Sequence, residues 1–363
     1  MTKQGKFFVF DKAKSPLRSV LSTIPNIKDG EILVKIDYAT LCGSDLHTFC
    51  GLRQEPCPTI LGHEIVGTII SINLDNNLKD ATGQLLRNGN MITWTVYASD
   101  PNTPSYNDQS PQKNDILYKY GHRIITESDT FHGGLASHII LRPHTHIRIL
   151  PNELPVPIAA TINCAIATSA GAIRLAGAIS GKKVLISGMG LLGLVCIAMC
   201  REAGAIGITV TDIDDKRLTL AKKFGATATI NTKSPTATDL QHFKTDNLFD
   251  CFIDMSGAPD AMEAGIAKLD INGVAVFIGA VFKQRKIEID AEQMIRRLLT
   301  LKGLHNYNYE DFNTAVDFII GNWQKYPFLS LVEKEYPLEK VNEAFDYAIA
   351  NKPIRVGINM NIK

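Results

Sequence analysis

The sequence has no excess of either charge: 38 basic and 37 acidic residues leave a formal +1. Neither nucleic acid nor an anionic membrane is therefore expected as a partner. Cysteine is sparse and odd in number, seven in 363 residues, which argues against a disulfide framework and points to a reducing cytoplasm. The start, MTKQGKFFVFDKAK, lacks an apolar core long enough for a signal peptide. The 17 uncharged residues from Val184 to Cys200 fall short of a bilayer span, and glycines interrupt their beginning. A strand, a tight turn and a buried helix explain that run better than a membrane segment. No internal repeat or low-complexity tract is present. What remains is a globular composition, 45% apolar and 21% charged, with length enough for two domains.

The pattern changes near Pro151. Before it, EILVKIDYATL, HEIVGTIISI and GGLASHIILR read as β segments between turns, and 97–121, rich in Pro, Asn, Asp and Ser, reads as a long loop or lobe. After it comes alanine-rich helical spacing, LPVPIAATINCAIATSAGAIRLAGAI, and then alternating units. KKVLIS, IGITVTD, ATI, LFDCFIDMS and GVAVFIGA read as strands; LLGLVCIAMCREAGA, DKRLTLAKKFGA and PDAMEAGIAKL read as the helices among them. Such alternation predicts a parallel sheet with right-handed crossovers. The tail predicts one or two amphipathic helices and a closing strand.

Within VLISGMGLLGLVCIAMC, Gly188, Gly190 and Gly193 form G-x-G-x-x-G around Leu191 and Leu192, directly after a strand and at the head of a helix. Glycines there permit a tight turn and let backbone amides approach a pyrophosphate. Asp212 ends the next strand, where a carboxylate accepts from ribose hydroxyls and repels a 2′-phosphate. Dinucleotide binding is expected, with NAD favoured over NADP, although Arg217 stands near enough to meet a phosphate.

LCGSDLHTFCG, residues 41–51, gathers Cys42, Ser44, Asp45, His47 and Cys50, and TILGHEIVG follows with His63 and Glu64. A catalytic zinc takes three thiolate or imidazole ligands and keeps a fourth position open. Cys42 and His63 could supply two, but no zinc-finger spacing demands it, and a buried cysteine or a core histidine would read the same way.

Together, CGSDLH, GHEIVG, GGLASHIIL, NCAIAT, GMGLLG and DKRLTLAKKFGA resemble the medium-chain dehydrogenase/reductase superfamily, zinc-dependent alcohol dehydrogenase branch, over nearly the whole chain. The subgroup that GLRQEPCPTILGHEIVG, YKYGH and NCAIAT suggest is similar to alcohol dehydrogenases associated with phosphonate catabolism. The resemblance implies an α/β fold: a GroES-like β-rich catalytic domain, 1–160 and 303–363, plus a Rossmann doubly wound parallel-sheet domain, 161–302. It implies Cys42, His63 and Cys164 as catalytic zinc ligands, and Glu64 as a carboxylate beside the metal. Asp45 then orients the His63 imidazole. Ser44 takes the alcohol proton and His47 passes it outward. Thr168 touches the nicotinamide and Arg355 the pyrophosphate. The implied activity is hydride transfer between an alcohol and NAD, in a cytoplasmic homodimer or homotetramer. Trp94, Val96, residues 50–57 and GLHNYNY at 303–309 correspond to the substrate-pocket walls.

The chain also departs from its relatives. Many carry a structural zinc on four cysteines in the lobe, yet 97–121 contains none. Asp100 and Asn114, near the first and last ligand positions, substitute poorly for thiolates. One zinc per chain is expected, with the lobe held by packing or a subunit contact, or else mobile. Cys50 and Cys57 read as free thiols. His122, His132, His138, His144 and His146 read as loop and strand histidines. A polyol or amino-alcohol substrate within the superfamily is an alternative, although Cys164 leans towards the alcohol type. A zinc-free enoyl or quinone reductase, and a catalytically decayed NAD-binding protein, are alternatives of other classes.

Overall fold

A computed structural model describes residues 3–73, 78–237 and 248–362. The chain divides into two compact units. The first comprises Met1–Cys164, Asn308–Trp323 and Phe328–Lys363, the second Ala165–Tyr307 with Gln324–Pro327.

The first unit is built on an eight-stranded sheet whose central strand is Ile32–Thr40. Its residues are almost all buried, so both faces are covered and the β-branched, apolar sequence ILVKIDYAT fits the position. It pairs antiparallel with Glu64–Ile72, His138–Leu141 and Arg355–Asn359. In that register Thr40 stands opposite Glu64 on one side and Gly357 on the other. The far end of the chain thereby reaches the segment that follows His63. Trp94, on Met91–Ser99, is fully buried in the apolar core of this unit. The pocket-wall role implied for it gives way to packing, because that strand buries every residue along its length.

The second unit has six parallel strands in the order Ala228–Asn231, Gly207–Asp212, Lys183–Ser187, Phe249–Asp254, Leu269–Phe277, Thr300–Gly303. This is the doubly wound order, which places a ligand crevice at the carboxyl ends of the strands where the winding reverses. Five of these strands match the sequence reading; Thr300–Gly303 was not anticipated. Val184–Cys200 forms the end of one strand and most of the helix Leu191–Glu202, as expected. Leu194, Val195 and Ile197 on that helix are fully buried. Each contributes about 1.5–3 kcal/mol.

A different run meets the membrane criterion. Val156–Ala176 is 21 residues of continuous helical turns, long and apolar enough to cross a bilayer by length and composition. Most of it is buried inside the protein. It is core, and its small residues suit close packing. Its middle, Ile162–Ile166, winds as a π-helix. Such a turn inserts an extra residue and recurs at functional positions.

The cysteine-free lobe is organised by Asn114, which is 5% exposed. Its amide nitrogen donates to Ser99 Oγ at 3.0 Å, Thr103 Oγ1 at 2.7 Å and the Asp100 carbonyl at 3.2 Å. Its amide oxygen accepts from Ser105 Oγ at 2.8 Å and the Ile116 N–H at 3.1 Å. One amide thus bonds to five residues, Ser99, Asp100, Thr103, Ser105 and Ile116. Asn114→Ala is expected to lower stability by about 1–3 kcal/mol and to expose 97–121 to limited proteolysis. Unchanged cleavage kinetics in that segment would reject the hub.

Candidate metal and nucleotide sites

Cys42 caps the short helix Gly43–Phe49. Asp45, one turn on, accepts from the Cys42 N–H at 2.9 Å through Oδ2 and from the Gly62 N–H at 3.2 Å through Oδ1. A single buried carboxylate therefore fixes the backbone on both sides of the site. Asp45 Oδ1 also lies 3.4 Å from His63 Nδ1. Cys164 arrives from the π-turn. The donor atoms of Cys42, His63 and Cys164 all lie within 4.8 Å of one another.

The electrostatics suit a cation. The Cys42 thiol is held well below its ordinary range, chiefly by its hydrogen bond with Cys164 and despite burial, with Arg355 and His63 adding to the effect. The same contact pushes Cys164 up. Burial opposes a charged His63, yet Asp45 and Cys42 outweigh it and raise the imidazole to about 10. Two soft sulfurs and one imidazole, with Cys42 and His63 buried and Cys164 partly so, form a donor set appropriate to zinc.

Glu64 lies outside that trio. Its carboxylate is fully buried and gripped by Arg355, Nε to Oε2 at 2.7 Å and Nη2 to Oε1 at 2.8 Å. Thr40 Oγ1 donates to Oε2 as well, at 2.5 Å. Arg355 Nη2 stands 3.9 Å from Cys42 Sγ. Both residues expected near ligands are thus engaged with each other. Ser44 Oγ lies 3.4 Å from His63 Nε2. His47 follows Ser44 on the same helix face, three residues on, half-buried and pushed below its ordinary value by burial.

In the second unit, Gly188 adopts φ +86°, and a Cβ there would meet the Ser256 backbone nitrogen at 2.6 Å. A Cβ on Gly193 would approach the Gly188 carbonyl oxygen to 2.1 Å. Only glycines allow this turn. Gly190 caps the helix that Leu191 and Leu192 begin. Asp212 Oδ2 accepts from the Met189 N–H at 2.5 Å, and Oδ1 from the Ile213 and Asp214 N–H groups at 2.7 and 2.9 Å. These residues open on a cavity of about 670 Å³ lined by Gly188, Gly190, Asp212, Arg217, Lys233 and Ser256. Thr168 is buried on the helix Ala167–Ala176 of this unit.

The alcohol dehydrogenase GroES-like domain family matches residues 28–151, and the zinc-binding dehydrogenase family matches residues 192–321. The chain belongs to the zinc-dependent alcohol dehydrogenases of the medium-chain superfamily. It is 27% identical over 346 residues to the D-arabitol-phosphate dehydrogenase of Enterococcus avium, covering 93% of this chain and 92% of that one. It is 25% identical over 359 residues to the L-threonine 3-dehydrogenase of Coxiella burnetii, covering 97% and 98%. An alcohol dehydrogenase from Thermotoga maritima superposes with a TM-score of 0.92 at 26% identity, over 98% of this chain and 99% of the other. The two units are accordingly a GroES-like domain and a Rossmann domain. This dehydrogenase is an oxidoreductase of CH–OH groups that uses zinc and NAD(P).

The sequence reading of this dehydrogenase gave His122 no role beyond that of a loop or strand histidine. Gly121, at φ +75°, packs so close to Gly62 that a Cβ on it would lie 2.6 Å from the Gly62 carbonyl oxygen. That approach brings His122 against His63, ring centroids 5.3 Å apart. His122 Nδ1 is 2.9 Å from Glu55 Oε1, off the line of a directional hydrogen bond. Burial pushes this imidazole down to about 4. The only sequence signal was the glycine before the histidine in YKYGH.

Proposed function

We propose that this protein oxidises a polar alcohol with NAD, in preference to NADP, at one zinc held by Cys42, His63 and Cys164. The observation that carries the reading is the convergence of those three donors with Asp45 behind His63. Zinc bound there would act as a Lewis acid on the alcohol oxygen, with the nicotinamide as hydride acceptor. Asp45 keeps the His63 tautomer that frees Nε2. The Ser44 hydroxyl receives the alcohol proton and hands it to His47, whose half-buried imidazole releases it outward. Arg355 neutralises Glu64 and keeps it from competing with substrate, while remaining a candidate pyrophosphate contact. Thr168 supports the nicotinamide. The domain limits 1–160 with 303–363, and 161–302, a cytoplasmic setting and a homodimer or homotetramer complete the proposal. Sorbitol-type polyols and threonine-type amino alcohols remain in the same class, in line with the activities named for the relatives.

Asp212 supports NAD, because its carboxylate sits among the cavity-lining residues where a 2′-phosphate would meet it. The test is NAD and NADP reduction by the zinc-loaded protein over primary, secondary, polyol and amino alcohols, with and without chelator. NAD should be preferred, and Asp212→Ala should shrink that preference by about 10-fold. Turnover unaffected by chelation would point to a zinc-free reductase. Nucleotide binding without turnover of any alcohol would point to a decayed enzyme.

A further inference from the structure

Beside the zinc ligands lies a charged cluster that the hydride-transfer reading does not use. Arg53 follows the catalytic helix directly, its N–H donating to the His47 carbonyl at 3.2 Å. Its guanidinium pairs with Glu55, Nη2 to Oε1 at 2.8 Å, and the Glu55 carboxylate meets His122, whose ring lies against His63 at a tilt of 33°. Lys119 belongs to the strand Leu117–Lys119, two residues before Gly121. Its half-buried ammonium has no hydrogen bond or salt bridge among the described residues.

The charges do not balance. Arg53 and Lys119 bring two cations to one carboxylate, and Arg53 already holds that carboxylate. Burial pushes the Lys119 ammonium below its ordinary value, and Arg53 pushes it further. Glu55 and Cys164 act in the other direction. An ammonium withdrawn from water beside a second cation is unfavourable unless an anion meets it. His122, three residues after Lys119, lies with its ring centroid 5.3 Å from that of His63, and Arg53 reaches the same His122 through Glu55. The missing anion therefore belongs within a substrate's length of the metal site.

We infer that Lys119 and Arg53 form a subsite for an anionic group on the substrate, so that the alcohol oxidised is one carrying a phosphate monoester. This rests on the zinc-dehydrogenase reading and adds the substrate class to it. Glu55 fixes Arg53 in place, so the guanidinium is preorganised, while Lys119 supplies the uncommitted charge. A phosphate dianion offers three acceptor oxygens, enough to bond both cations at once. A neutral polyol would leave Lys119 unpaired, and the site would discriminate against it on that account.

Three substrates for the zinc-loaded enzyme distinguish the possibilities: a pentitol, the same pentitol with a terminal phosphate, and the corresponding aldonate with a carboxylate at that end. The phosphate ester should have the highest kcat/KM, mainly through a lower KM. Lys119→Met should reduce the phosphate-to-neutral ratio by about 10- to 100-fold, the worth of one charge-assisted hydrogen bond. Lys119→Arg should keep most of that ratio. Preference for the aldonate, or a ratio unmoved by Lys119→Met, would overturn the phosphate assignment. Turnover of any of the three would leave the zinc mechanism standing. Should none turn over, calorimetric titration with the pentitol phosphate still decides. Binding weakened about 10-fold or more by Lys119→Met sustains the subsite, and equal binding by both proteins removes it.

Discussion

Cys42→Ala is expected to strip the metal and reduce kcat/KM by about 10³-fold or more. Among the described residues no fourth donor joins the trio: Glu64, the nearest carboxylate in sequence, is bound on both oxygens by Arg355 and on one by Thr40. Two donors, His63 and Cys164, would remain, too few for a closed set of three protein ligands. Several kcal/mol of charge stabilisation on the reacting oxygen would go with the ion, and about 4 kcal/mol already corresponds to 10³ in rate. Elemental analysis should show about one zinc per chain in the parent and little in the variant. Cys50→Ala is the control, since Cys50 lies at the far end of the same helix and outside the trio. A Cys42→Ala protein that retained both zinc and turnover would refute the assignment.

Arg355→Met carries the largest expected loss of stability, about 3–5 kcal/mol. Glu64 is fully buried and Arg355 nearly so, and both carboxylate oxygens depend on the guanidinium. Burial already raises Glu64 above its ordinary value, with Arg355 the main opposing influence. Removing the cation would leave a carboxyl group that is costly to ionise and only partly bonded by Thr40. Arg355→Lys should recover only part of the loss, because an ammonium cannot reproduce the bidentate fork. The double variant Glu64→Gln with Arg355→Met should be more stable than Arg355→Met alone, since the unpaired charge is gone. Urea denaturation of all four proteins measures this. A single Arg355→Met variant within about 0.5 kcal/mol of the parent would show that the pair does not hold this sheet together.

The parts of this molecule legible in its sequence are those whose chemistry is local. Gly188 and Gly193 stand five residues apart, and the close approach that forbids a side chain at each is made within one turn and its neighbouring strand end. The αβ alternation likewise carries its period in the residues themselves. Cys42, His63 and Cys164 were legible only through motifs, because nothing in their spacing brings positions 42 and 164 together; a π-turn and an antiparallel register do. The engagement of Glu64 with Arg355 was hidden for the same reason, since 291 residues separate them. His122 was read among the loop and strand histidines because its contact with His63 depends on two glycines from different loops meeting without side chains. Asn114 was noticed as a poor thiolate substitute, whereas its importance lies in five short bonds within the lobe.

The Asn114 network has a bearing on durability. Its members are an amide, hydroxyls, a carbonyl and a backbone N–H, none of which an oxidant attacks readily. Lobes of the same position held by four thiolates can lose their clasp when peroxide converts sulfur to sulfenic or sulfinic acid. Here that vulnerability falls on the Cys42–Cys164 pair, where the Cys42 thiol is held well below its ordinary range by Cys164, Arg355 and His63. Oxidation of that pair would therefore silence the chemistry while the lobe kept its shape, and where it stopped at sulfenic acid or a disulfide, reduction and metal alone would restore the protein.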